Sequence, residues 1–109
     1  MAKHPIVHFE IPAADAEKLA EFYRQLFGWE IAKVDIGGTP YYSTTTTETD
    51  EQGTPTGPGI NGGMYPRTEA GQHVINYVNV ESVDEYLARA KSLGARELIG
   101  KMPVPGMGW

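Results

Sequence analysis

From Ile6 to Ile11 the side chains alternate, with Val7, Phe9 and Ile11 on one side and His8 and Glu10 on the other. Period two of this kind predicts a half-buried strand. The spacing then changes: Ala16, Leu19, Ala20, Tyr23, Leu26 and Phe27 recur every three or four positions, which predicts an amphipathic helix. Asp15 is placed to cap its start and Gly28 to stop it. The same plan returns in the second half. His73 to Val80 reads as a strand, with Val74, Val78 and Val80 on one face and His73, Ile75, Tyr77 and Asn79 on the other. Val83, Tyr86, Leu87, Ala90 and Leu93 form a helical stripe, opened by a capping box at Ser82 and Glu85 and ended by Gly94. Each apolar position from Val83 to Leu93 lies 67 residues after its counterpart between Ala16 and Leu26, so the chain carries an internal repeat.

Between the two helical stripes, Trp29 to Ile36 and Pro40 to Glu48 predict two strands joined by a hairpin at Gly37-Gly38. The threonine run, Thr44 to Thr47, suits an edge strand with one solvated face. Thr49 to Gly59, polar and rich in glycine and proline, predicts a loop. Ile60 to Tyr65 predicts a short fourth strand, where Gly62 and Gly63 imply a bulge or the close approach of another group. A further strand is expected near Ala95 to Lys101. The reading is therefore α+β, one domain over residues 1–109, with a β-α-β-β-β module over 1–68 and an incomplete second module over 69–109 that lacks two strands.

Composition narrows the partners. The chain has 109 residues and no cysteine, which excludes disulfides, thiolate metal sites and a cysteine nucleophile. Nine Lys and Arg against 14 Asp and Glu leave a net charge of -5 and no basic cluster able to neutralise a run of phosphates, so nucleic acid is not an expected partner. No apolar run approaches a membrane span and the N-terminal residues lack a signal-peptide core, so a cytoplasmic protein with no membrane partner is expected. Neither a nucleophile elbow nor a phosphate-cradling loop is present.

His8-Phe9-Glu10-Ile11-Pro12, Asp15, Phe22-Tyr23 and Leu26-Phe27-Gly28-Trp29 resemble the first module of the vicinal oxygen chelate superfamily, which includes glyoxalase I, bleomycin-resistance proteins and extradiol dioxygenases. Gly59-Ile60-Asn61-Gly62-Gly63-Met64 and Pro103-Val104-Pro105-Gly106-Met107-Gly108-Trp109 resemble its bacterial glyoxalase-like branch. The resemblance implies two paired modules forming a curved mixed sheet around a cleft, with helices on the outer side. His8 and Glu10 would then face the cleft. It leaves the chemistry open, because the fold hosts lyases, epimerases, dioxygenases and binding proteins.

In catalytic members of the superfamily a divalent metal, such as Zn, Ni, Mn or Fe, is held by side chains from the first and last strands of each module. The resemblance makes His8 a candidate ligand and His73 a second. The residue 67 positions after His8 is Ile75, which coordinates nothing, and Asn61 and Gly62 stand where a carboxylate would be expected. Set against this, His8 reads as a strand histidine hydrogen-bonded inside the cleft, and His73 as a solvated residue at a strand start. Asn61, Met64, Tyr77 and Trp109 are candidates to line a ligand pocket, or to be ordinary packing. Two function classes follow. One is a binding protein that encloses a small oxygenated or aromatic molecule. The other is a metal-dependent lyase, isomerase or dioxygenase that uses His8. No cofactor beyond that metal is implied, and a homodimer is expected to cover the open edge of the incomplete second module.

Overall fold

The computed structural model describes residues 3–98. Along the chain run β1 (Ile6–Ala13), α1 (Ala16–Phe27), β2 (Glu30–Ile36), β3 (Thr39–Thr45), β4 (Gly62–Pro66), β5 (Ile75–Val78) and α2 (Val83–Ser92). One compact unit runs through Val78 and a second begins at Asn79. The strand placed at the head of the second module thus belongs to the first unit.

That first unit is a five-stranded mixed sheet in the order β2-β3-β4-β1-β5. β1 runs parallel to β4 and antiparallel to β5, while β2, β3 and β4 are antiparallel neighbours. The β2–β3 hairpin turns at Gly37 and Gly38, with φ of 59° and 86°. A tight hairpin turn with positive φ at both central positions suits glycine because it carries no Cβ.

Helix α1 starts where expected. The Asp15 carboxylate accepts from the Lys18 amide at 3.0 Å, and Gly28 closes the helix in the left-handed conformation with its amide donating to the Arg24 carbonyl. Its inward stripe buries Ala16 and Ala20 against Ala13, Ile31, Tyr42 and Met64, with Ile11, Leu19, Tyr23 and Trp29 packed around them. Small residues on the helix let it lie close to the sheet, and Met64, fully buried, fills the gap between them. Arg24 ties the helix to β2 by donating to the Ile31 carbonyl at 2.8 Å while pairing with Glu21 at 3.0 Å.

The pairing of β1 with β5 gives the repeat a geometric meaning. Phe9 stands opposite Asn76, the residue 67 positions later. On either side of this pair the equivalents cross over: His8 faces Tyr77, the counterpart of Glu10, and Glu10 faces Ile75, the counterpart of His8. A local two-fold relation between antiparallel strands produces this register.

Several expectations change. β3 lies between β2 and β4, so the threonine run is not an edge strand. Thr44 is buried, its hydroxyl donating to the Tyr42 carbonyl, and the Thr46 and Thr47 amides both donate to the Asn61 side chain, fastening the 48–61 loop to the sheet. β5 begins at Ile75, which leaves His73 outside the strand. β4 shows no irregularity in its pairing with either neighbour, so Gly62 and Gly63 serve close approach, not a bulge. Residues 95–98 form no strand, and the rest of the segment expected to be one, 99–101, lies outside the described residues.

In the second unit, α2 is capped by Ser82, whose hydroxyl accepts from the Glu85 amide at 3.1 Å, and the chain leaves it through Gly94 at φ 106°. None of its residues is fully buried.

Candidate functional site

Alternation along β1 sends Phe9, Ile11 and Ala13 toward α1 and His8 and Glu10 to the opposite face of the sheet. On that face four side chains meet. The Glu10 carboxylate accepts from the Tyr41 hydroxyl at 2.9 Å on Oε2 and from the Tyr77 hydroxyl at 2.9 Å on Oε1. His8 Nε2 lies 3.3 Å from Glu10 Oε2 and 3.2 Å from the Tyr41 hydroxyl oxygen. The His8 and Tyr77 rings meet edge to face with centroids 5.2 Å apart.

Each member comes from a different place in the sheet. His8 and Glu10 are two residues apart on β1, Tyr77 is the direct antiparallel partner of His8 on β5, and Tyr41 belongs to β3. β3 does not pair with β1, because β4 runs between them. Tyr41 reaches Glu10 by lying across β4 at Gly63, where any Cβ would overlap its hydroxyl and ring. Gly63 stands opposite Glu10 on one side and Ser43 on the other, so the missing side chain is at the crossing point.

The electrostatics follow from this packing. Burial is the largest influence on Glu10 and pulls its pKa upward, but the bonds from His8, Tyr77 and Tyr41 together with the charge of His8 outweigh it. The carboxyl is left below its ordinary 4.5. The tyrosines respond in the opposite sense. Burial, the bond to Glu10 and its charge push Tyr77 up to about 12. Burial and then the Glu10 charge drive Tyr41 far above the ordinary phenol range. At neutral pH the cluster is thus an ionised carboxylate held by two neutral phenols. The His8 and Glu10 side chains keep 21% of their surface in solvent, so the group can be reached from outside.

Of the candidates taken from the sequence, His8 and Tyr77 are brought together here. Met64 is not with them: it is fully buried on the α1 side, because its register partner Tyr42 and its neighbours face the helix. Asn61 uses its side-chain oxygen to accept from Thr46 and Thr47, a loop-fastening role. His73 is exposed and is not among the four bonded residues. Trp109 lies outside the described residues. Tyr41 and the full role of Glu10 were missed. The signal available was parity: Tyr41 shares a face with Ser43, and a glycine between that face and Glu10 leaves room for one long side chain. A separate concavity, lined by Lys33, Val34, Asp35, Gly38 and Pro40 at the β2–β3 hairpin, contains none of these residues.

A family model for a glyoxalase-like domain matches residues 7–102. The chain belongs to that family, within the vicinal oxygen chelate superfamily. The mixed sheet with α1 on one face agrees with the glyoxalase-like fold. No curated protein matches the chain. No helix among the described residues is long and apolar enough to cross a membrane.

The superfamily's divalent metal can be tested against the donor set. His8 Nε2 and the Glu10 carboxylate are two suitable donors on one face, but both Glu10 oxygens already accept phenol protons. No three His, Asp or Glu side chains among the described residues gather into a group that could hold an ion. The described residues of this glyoxalase-like domain therefore do not fit a resident metal held by them alone.

Proposed function

We propose that this glyoxalase-like domain binds a small oxygenated or aromatic molecule on the sheet face opposite α1, at the Glu10 cluster. The observation that carries the reading is the cluster itself: an ionised, partly buried carboxylate framed by Tyr41, Tyr77 and His8. Holding a carboxylate in a half-buried position costs desolvation, and four side chains from three strands converge to offset it. Convergent polar groups beside aromatic surface are the usual composition of a small-molecule site. The metal-dependent alternative, a lyase, isomerase or dioxygenase using His8, has two donors in support among the described residues, His8 and Glu10, and carries no step here.

Saturation-transfer NMR with a panel of phenols, catechols, hydroxy acids and aromatic amines tests the reading. At least one compound is expected to bind the wild-type chain and to lose binding in both Glu10→Ala and Tyr77→Ala. Absence of binding across the panel, or binding unchanged in both variants, would overturn it. The same proposal includes a homodimer along the β5 edge, where Val74, Ile75 and Val78 are exposed. Light scattering showing a monomer at all concentrations would remove that part.

A further inference from the structure

We infer that the cluster selects a ligand that presents a cationic hydrogen-bond donor, of the protonated-amine class, and excludes ligands that present a carboxylate or phosphate. This deepens the binding reading above and rests on it. The argument is an inventory of protons. A phenol has one, and Tyr41 and Tyr77 each direct theirs to Glu10 at 2.9 Å. What both hydroxyls still offer is oxygen lone pairs. Glu10 is acceptor-only when ionised, and Oε1, bonded to Tyr77, keeps a second lone-pair direction.

His8 completes the inventory. Its Nε2 faces Glu10 Oε2 and the oxygen of Tyr41, whose proton is already turned toward Glu10. A nitrogen lone pair set against two oxygen lone pairs would be repelled, so Nε2 carries the hydrogen. In the neutral ring Nδ1 is then the acceptor, and every bond described for His8 runs through Nε2. The remaining hydrogen-bonding capacity of Glu10 and the two phenols is therefore that of acceptors, as is that of His8 when its ring is neutral.

Charge points the same way. Among the described ion pairs Glu10 has no Lys or Arg partner: those of Arg24 are with Glu17 and Glu21, that of Lys91 is with Glu97, and Glu10 is paired with His8 alone, 3.3 Å away. A ligand ammonium would meet one full negative charge, two phenol oxygens and the exposed ring of Tyr77, all favourable to a cation. A ligand carboxylate would meet the same charge with no donor from Glu10, Tyr41 or Tyr77 to offset it, and a bare carbonyl would find no free proton on those three to accept.

The test uses two compounds with the same phenol and two-carbon chain but opposite terminal charge, tyramine and 3-(4-hydroxyphenyl)propionate, titrated at neutral pH into the isotope-labelled chain. Tyramine is expected to shift the backbone amide signals of Glu10, Tyr41, Gly63 and Tyr77 saturably, and Glu10→Gln to weaken it roughly tenfold. The propionate is expected to leave those signals in place. Propionate binding there as well as or better than tyramine would overturn the cationic class while leaving a small-molecule site standing. Shifts from neither compound at about 10 mM would overturn it too, and the broader panel would then judge the binding reading separately. Should Glu10→Gln lose its dispersed spectrum, the wild-type comparison of the two compounds decides alone.

Discussion

Gly62 and Gly63 are neighbours on β4, yet they serve opposite faces of the sheet. At Gly62 a Cβ would collide with the Phe9 carbonyl oxygen and lie 2.7 Å from its ring, on the side where Trp29, Tyr23 and the fully buried Met64 pack under α1. At Gly63 a Cβ would overlap Tyr41, which crosses to Glu10 on the other side. The same device, an aromatic ring laid over a strand that lacks a side chain, thus gives a dry core on one face and a polar cluster on the other. What differs is the obstacle. Gly62 is closed in partly by backbone, which cannot step aside, whereas Gly63 is covered by the far end of a side chain that can rotate away. One face is therefore built for stability and the other for a geometry that can be lost while the fold survives.

The comparison can be broken most severely at its apolar side. Met64→Ala removes a fully buried side chain and should cost about 2–5 kcal/mol in urea unfolding, with the Glu10 cluster unchanged in NMR spectra of the folded fraction. Gly62→Ala should cost about 1–3 kcal/mol, because the new methyl meets the Phe9 backbone. Gly63→Ala should cost less, about 1 kcal/mol for one net hydrogen bond, yet it should separate Tyr41 from Glu10. Its signature is an ultraviolet pH titration in which Tyr41 moves down toward the ordinary phenol range. If Gly63→Ala proved the more destabilising of the two glycine variants, the division of labour between the faces would be wrong.

The smallest effect sharpens the contrast through pH. Glu10 has its folded pKa depressed below 4.5, so near that pH the unfolded chain binds more protons than the folded one. Its contribution to stability is complete above 4.5 and is lost as pH falls through the folded value. Stability of the wild type should therefore decline across this acid range more steeply than that of Glu10→Gln, followed by denaturant midpoints at successive pH values. Equal slopes would mean that the carboxylate gains nothing from its partners.

Much of this protein can be read from residue order. The two βα segments, the Asp15 and Ser82 caps, the Gly28 and Gly94 exits and the Gly37-Gly38 turn depend on contacts within a few residues, which alternation and helical spacing record directly. Even the offset of 67 anticipates the crossing of β1 and β5, since a repeat paired antiparallel on itself matches equivalents about one point. The facing of His8 and Glu10 away from α1 also follows from parity along a single strand. The position of β3 inside the sheet does not, because the threonine run suits an edge and an interior strand alike until strand order is known. Nor does the cluster. Tyr41 lies 31 residues from Glu10 and Tyr77 lies 67 from it, and their meeting depends on β4 passing between β3 and β1 with a glycine at the crossing. Local sequence determined which faces existed; only the tertiary order of the strands decided which side chains share them, because hydrogen-bond partners across a sheet are chosen by register and not by proximity along the chain.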